Sequence, residues 1–258
     1  MDYNYHTHTY FCRHAFGSPE EYVKVAIDGK IKYMGFSDHI PFVLDGGYEH
    51  NHRVFAQEVD KYISETKALA EKYKDLIEIK VGFEMEYYPE HFEKMYKNAK
   101  EYGAEYLIVG EHFYCAENKH EGVYVALPTD DKTVLKRYTK AVVEAIKTGV
   151  FTYVAHPDII NFQGDEKLLE ESFRKICKAS KKYNTPLELN FLGIRRQRFY
   201  PNQLLWRIAG QEKCPVTFGF DAHEPAHACD KESLKTAKEY VKKYNLNYIG
   251  KPTLKPLV

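Results

Sequence analysis

The chain has 258 residues, 44% of them apolar, enough for one large α/β domain or two ordinary ones. Lysine plus arginine and aspartate plus glutamate both number 37, so the formal net charge is zero and nothing favours a general polyanion-binding surface, nucleic acid included. No basic segment followed by an apolar run opens the chain, and nowhere do about 18 apolar residues follow one another; the expectation is no signal peptide, no membrane span and a cytoplasmic location.

The first candidate element is the strand YNYHTHT (3–9). Side chains alternate faces in an extended segment, so His6 and His8 project to one side, and His14 can fold back from the turn that follows. A helix is predicted next, with Ser18 as N-cap, Pro19 in the first turn, acidic Glu20 and Glu21, and Gly29 as its stop. Further along, strands KYMGFSDH (32–39), EIKVGFEME (78–86), YLIVGEH (106–112), YVAHPD (153–158), PLELN (186–190) and VTFGFDAH (216–223) alternate with amphipathic stretches at 54–73, 92–102, 132–149, 168–183 and 231–244. Seven strands interleaved with helices predict repeated βα units and a parallel sheet. No internal repeat, low-complexity tract or flexible linker marks a boundary, so residues 1–258 read as one domain.

Five cysteines, Cys12, Cys115, Cys177, Cys214 and Cys229, are odd in number and form no CxxC pair. That argues for reduced thiols and against a disulfide framework or a zinc knuckle. Most of the 22 tyrosines, among them Tyr62, Tyr73, Tyr96 and Tyr102, read as packing residues with a wetted hydroxyl.

Each strand, followed toward its C-terminal end, reaches a histidine or an acid: His6 and His8, Asp38 and His39, Glu84, His112, His156, then Asp221 and His223. The segment PLELNFLGIRR supplies Glu188 and two arginines instead. In an α/β barrel the C-terminal strand ends form the active face. One histidine at a strand end is ordinarily a satisfied core group, but seven of the chain's twelve histidines, counting His14, fall into this set. Seven imidazoles with Glu84 and Asp221 exceed what one four-coordinate ion needs, and three ions would fit. Imidazole with carboxylate and no thiolate suits Zn²⁺, Mn²⁺ or Fe²⁺.

A chain with HTH on its first strand, SDH on the second, a strand-borne glutamate, two further strand-end histidines and a closing DAH resembles the PHP (polymerase and histidinol phosphatase) family along nearly its whole length. The resemblance implies a distorted seven-stranded (β/α) barrel of TIM-barrel type with a three-metal site. One ion would be held by His6, His8, Glu84 and Asp221, with Glu84 bridging to a second that takes His112 and His156, and a third would use His14, His39 and His223. Within the family, ELNFLGIRRQRFYP is similar to the histidinol-phosphate phosphatase branch through Glu188, Asn190, Gly193, Arg195, Tyr200 and Pro201. Two positions depart from the branch: Asn161 and Phe162 stand where many members carry a basic residue, and Glu111 where a small residue is common.

The implied activity is hydrolysis of a small phosphomonoester, L-histidinol phosphate above all, giving L-histidinol and phosphate as in histidine biosynthesis. Three divalent ions against two carboxylates leave a formal excess of about four positive charges, which favours a phosphate dianion. The expected mechanism is in-line attack by a metal-bridging hydroxide, with Glu84, Asp221, His223 and Arg195 acting at the reacting group. Arg195 is the first candidate for the phosphate because a guanidinium fork matches phosphoryl oxygens bidentately; Arg196 and His14 are further substrate contacts, and Arg198 is an alternative. Asp158, two residues beyond His156, is a candidate proton donor or orienting partner, whereas Asp38 should point away from His39. His50 and His52 sit in a loop on the active side and can shape the pocket, His227 stands close behind DAH, and His91 and His120 have no assigned role.

Rival readings share parts of the pattern. An amidohydrolase also carries His-x-His on its first strand but normally has a lysine or acid where this chain has His112. A phosphoesterase acting on nucleotides or another phosphorylated metabolite needs different pocket walls. A non-catalytic metal-binding or polymerase-associated module would be expected to lose ligands, and here every position is filled.

Overall fold

The computed structural model describes residues 1–43, 47–113 and 124–258. Cys115 and His120 lie outside the described residues. In chain order the elements are β1 (Tyr3–Asn4), α1 (Pro19–Asp28), β2 (Tyr33–Phe36), α2 (Val59–Lys72), β3 (Glu78–Met85), α3 (Phe92–Glu101), β4 (Tyr106–Val109), α4 (Lys132–Thr148), α5 (Glu166–Tyr183), β5 (Leu187–Asn190), α6 (Phe191–Arg195), α7 (Gln203–Glu212), β6 (Pro215–Gly219), α8 (Lys231–Tyr244) and β7 (Asn247–Tyr248).

Local chemistry sets the helix ends. At the start of α1 the Ser18 backbone N–H and hydroxyl both donate to the Glu21 carboxylate, at 2.6 and 2.8 Å, which occupies donors the helix cannot satisfy itself. At α4, α5, α7 and α8 the cap side chains of Asp131, Asp165, Asn202 and Asp230 instead accept from backbone N–H groups of the first turn. Gly149 ends α4 at φ 75°, a conformation an L side chain rarely adopts. Hydrophobic faces of these helices then pack on the sheets. Tyr62 of α2 is buried and donates to the Gly82 carbonyl at 2.8 Å, while Tyr73, Tyr96 and Tyr102 are partly buried against the core, as read from the sequence.

The strands form two all-parallel sheets, a curled four-stranded one ordered β1-β2-β3-β4 and a three-stranded one ordered β5-β6-β7. The α/β class is as expected; the strand inventory is not. Segment 153–158 is no strand: Val154 alone bridges Val109 on one side and Leu187 on the other, and His156 at φ 30° has left the extended region. Asp221 at φ 46° likewise ends the extended run that began as β6. β7 was not expected because two residues give no readable alternation, and α6, five residues long, lies inside the motif ELNFLGIRRQRFYP; α7, which follows that motif, was not expected either. A further parallel bridge joins Thr7 to Ala222, with the His8 N–H donating to the Ala222 carbonyl at 2.8 Å.

Beneath the strand ends, Tyr3, Tyr5, Tyr106, Ile108, Tyr153 and Ala155 make a buried cluster separate from the main core. The Tyr106 hydroxyl donates to the carbonyls of Tyr5 and Phe36, at 2.9 and 3.1 Å. This aromatic cluster includes Tyr3 of β1 and Tyr5, which leads into the segment carrying His6 and His8. Cys12, Cys177, Cys214 and Cys229 are free thiols, and no described helix is long and apolar enough to cross a membrane.

Candidate metal centre and its cavity

At the C-terminal strand ends a cavity of about 570 Å³ is lined by His8, His14, His39, Glu84, His112, His156, Asp221 and His223, with His6 buried just beneath. All nine residues singled out from the sequence as metal ligands therefore meet at one place. Strand β1 stops at Asn4, short of the 3–9 expected, yet His6 and His8 still meet, with their Nε2 atoms 3.1 Å apart. Glu84 is the hub. Its Oε2 lies 3.3 Å from His6 Nε2, 3.2 Å from His8 Nε2 and 3.6 Å from His39 Nδ1, while its Oε1 lies 2.9 Å from His156 Nε2 and 3.8 Å from His112 Nε2. Asp221 Oδ1 closes the first group at 3.6 Å from His6 and 3.5 Å from His8, and His223 Nδ1 is 3.2 Å from the same oxygen.

Imidazoles stack over this hub: His8 on His223 at 4.4 Å between ring centres and His8 on His39 at 4.7 Å. His14 stands 4.9 Å from His223 and 5.3 Å from His39. His39 thus stands between the first and third groups anticipated from the sequence, near Glu84 as well as His14.

Two glycines make room for carboxylates. A Cβ on Gly110 would fall 1.7 Å from Glu84 Oε1, and one on Gly219 would fall 1.6 Å from Glu188 Oε1. Glu188, buried on β5, takes His6 Nδ1 at 2.7 Å through one oxygen, and accepts the His156 N–H at 2.9 Å and the Asn190 amide at 2.7 Å through the other. The Asn190 amide also donates to Asp221 Oδ2 at 3.0 Å. One network therefore ties together three separate stretches of chain that carry His6, His156 and Asp221, the kind of arrangement that fixes the tautomer and aim of metal-binding histidines.

The electrostatics divide the histidines. Burial, reinforced by His223, holds His8 down to about 4, and burial with His223 and His8 holds His14 down to about 3. Burial also pushes His39 well below its usual range. These three offer neutral lone pairs at pH 7. For His6 burial acts in the same direction, but Glu188, Asp221 and Glu84 outweigh it and raise its pKa; for His112 Glu84 and Glu86 overcome burial and lift it to about 9. Burial opposes the charge of Glu84 and Asp221, yet the surrounding imidazoles keep both carboxylates ionised.

The donor set suits divalent transition metals. Triplets of ligand atoms within 4.8 Å of one another occur at His6, His8 and Asp221, at His6, Glu84 and His156, at His8, His39 and Glu84, and at His39, Glu86 and His112. Glu84 Oε1, at the centre of the cluster, is buried and makes no hydrogen bond among the described residues, a costly state for a carboxylate oxygen that coordination there would relieve.

Sequence reasoning missed Glu86, Arg53 and Cys12. Glu86 takes His112 Nδ1 at 3.0 Å and is ion-paired to buried Arg53 at 2.6 Å; the signal was available, since Glu86 is two residues from Glu84 on a strand. Cys12 joins His8 and His14 in a further triplet, although its thiol donates to the Thr9 carbonyl at 3.1 Å.

Several expected roles fall elsewhere. Arg195 does not line the cavity: its guanidinium donates to Asp230 Oδ2 at 3.0 Å and to the Asp221 carbonyl at 2.8 Å, so it buttresses the turn carrying Asp221. Arg196 lines the mouth, paired with Glu224 at 3.4 Å, and Arg198 lines it too. Asp158 does not line the cavity; its Oδ2 accepts from the Asn202 N–H and the Trp206 indole at 2.6 and 2.9 Å. Asp38 turns from His39 to Thr9, as anticipated, at 2.8 Å to its N–H and 2.9 Å to its hydroxyl. Glu111 accepts the Tyr87 N–H at 3.0 Å, a structural bond that accounts for its place on the strand end. His50 and His52 do line the cavity, with His52 5.4 Å from His14 and His50 5.5 Å from Phe113.

The PHP domain family model matches residues 4–191, and the chain belongs to that family. Among its relatives, a probable histidinol-phosphatase of Deinococcus radiodurans is 26% identical over 224 residues, 85% of each chain. The histidinol-phosphatase of Bacillus subtilis is 23% identical, across 85% of this chain and 92% of that one. The fold is shared with a Lactococcus lactis histidinol phosphate phosphatase solved with zinc, L-histidinol and phosphate, at a TM-score of 0.72 and 19% identity over 96% of this chain and 95% of that one. It is shared also with a putative histidinol phosphatase of Listeria monocytogenes, at 0.71 and 19% over 90% and 99%.

Proposed function

We propose that this protein is a metal-dependent phosphomonoesterase whose substrate is L-histidinol phosphate. The observation that carries the reading is Glu84, buried between two sets of imidazoles with one carboxylate oxygen turned to each. His6, His8, Glu84 and Asp221 would hold one ion, Glu84 with His112 and His156 a second, and His14, His39 and His223 a third. Bound there, ions of the zinc, manganese or iron type supply Lewis acidity and an ionised water near neutral pH.

The chain's own residues do the rest. Glu188, Asn190 and Glu86 hold the ligand rings and Asp221 in register, so little reorganisation is needed when the phosphoryl group arrives. His14 and Arg196 stand at the wall where that group enters, and Arg195 contributes through the Asp221 turn. Farther out, His50, Phe113 and Tyr124 form an aromatic wall, with ring centres 5.5 and 5.6 Å apart in succession, against which the imidazole of histidinol can pack. The names of the relatives point to the same substrate.

The finer architecture belongs to the same proposal. We read the two sheets as one distorted seven-stranded barrel within a single domain; the bridges through Val154 and between Thr7 and Ala222 support this, as does a main core running from Phe11 to Leu246. A cytoplasmic location accords with the free thiols.

The test is phosphate release from L-histidinol phosphate beside a panel of sugar and nucleotide monophosphates, with metal analysis of the same preparation. Metal-dependent turnover with preference for L-histidinol phosphate is expected, together with loss of turnover and of bound metal in His8→Ala and Glu84→Ala. A metal-replete protein that releases no phosphate, or a fully active Glu84→Ala protein, overturns the reading.

A further inference from the structure

We infer that Arg198 is the guanidinium that binds the substrate's phosphoryl group. The inference rests on the phosphomonoesterase reading and adds to it the residue that recognises the anion.

Three arginines line the cavity, Arg53, Arg196 and Arg198. Arg53 is buried against Glu86 at 2.6 Å, so its charge is already neutralised. Arg196 is paired with Glu224 at 3.4 Å and is largely turned to solvent. Arg195, the residue its motif would favour, is spent on Asp230 and the Asp221 carbonyl. Among the described residues, no carboxylate forms an ion pair with Arg198. The groups that act on its charge are Tyr200 and Tyr124 and, more weakly, Asp221; burial raises the pKa of both tyrosines, so neither offers negative charge at neutral pH.

The side chain is also placed to act as a fixed ligand. The Arg198 N–H donates to the Gly193 carbonyl at 3.0 Å, which ties its loop to α6. The neighbouring Tyr200 ring stands 6.4 Å from that of His156, so the loop reaches the metal centre. Tyr124 comes from the other side of the mouth, where Phe113 and Tyr124 form an antiparallel bridge. The guanidinium thus stands at the cavity mouth, and among the described residues no carboxylate is ion-paired with it. A planar fork so placed matches two oxygens of a tetrahedral oxyanion at small ordering cost.

The test uses inorganic phosphate as probe. Phosphate binding to the metal-loaded protein is measured by calorimetry and by competitive inhibition of p-nitrophenyl phosphate turnover, for the parent, Arg198→Ala and Arg198→Lys, with bound metal determined for each. Removing the fork should weaken phosphate binding by about 10–100-fold and raise KM by a similar factor at unchanged metal content, with partial recovery in Arg198→Lys. Unchanged phosphate affinity in Arg198→Ala overturns the assignment, and so does loss of phosphate binding that tracks loss of metal. If L-histidinol phosphate is refused while p-nitrophenyl phosphate is turned over, the choice of alcohol fails and Arg198 is still judged by the phosphate titration.

Discussion

Gly110 follows β4 directly, and its missing side chain is space that Glu84 occupies. In Gly110→Ala the new methyl carbon would start 1.7 Å from Glu84 Oε1, whereas non-bonded contact needs roughly 3.5 Å. The carboxylate, 0% exposed and walled in, would therefore have to retreat by somewhat under about 2 Å, unless β4 moves instead. Contacts of 2.9 Å to His156 and of 3.2 and 3.3 Å to His8 and His6 cannot survive a retreat of that size. A misplacement of about 1 Å can cost about 100-fold in rate, and overpacking a core costs about 1–3 kcal/mol of stability. Gly110→Ala should accordingly lose at least about 100-fold in kcat/KM and bind metal more weakly, while melting as a folded protein. Elemental analysis after dialysis, phosphate-release kinetics and thermal unfolding measure the three quantities. Parent-like metal content and activity would show that Glu84 is not the bridging hub described above.

Two other perturbations probe separate parts of the structure. Glu86→Gln retains shape but loses the charge that faces His112 Nδ1 and Arg53; metal affinity, read by chelator competition, should fall by about 10–100-fold, and an unchanged affinity would assign Glu86 to packing alone. Glu20, whose carboxylate accepts from Lys72 and Tyr73, is held down to about 2 by those hydrogen bonds. A depressed carboxylate stabilises the fold above its unfolded pKa and ceases to do so as pH falls through the folded value. Glu20→Gln should therefore melt below the parent at pH 7, by an amount that narrows from about pH 4.5 toward pH 2; a pH-independent difference in Tm would contradict the pairing.

Much of the metal centre was legible because its cause is local. The i, i+2 spacing of His6 and His8 is enough to suggest that they share one side, and a histidine or acid near the end of one expected strand after another needs only chain order to be noticed. The helix starts at Ser18 and Asp230 were written in the same short-range chemistry. Arginine roles could not be read this way. Arg195, Arg196 and Arg198 lie within four residues of one another, and the sequence offers each the same carboxylates and the same cavity. Only the packed chain brings Asp230 to Arg195 and Glu224 to Arg196 and leaves Arg198 beside two tyrosines. Glu86 and Arg53 became a pair for the same reason, across 33 residues and two elements.

Sequence alone thus determined which residue types reach the rim, because strand periodicity and end position are properties of a few neighbouring residues. Tertiary structure alone decided which charges are neutralised there and which face the cavity. A long side chain takes its partner from whatever the fold sets within reach, and burial makes an unpaired choice expensive.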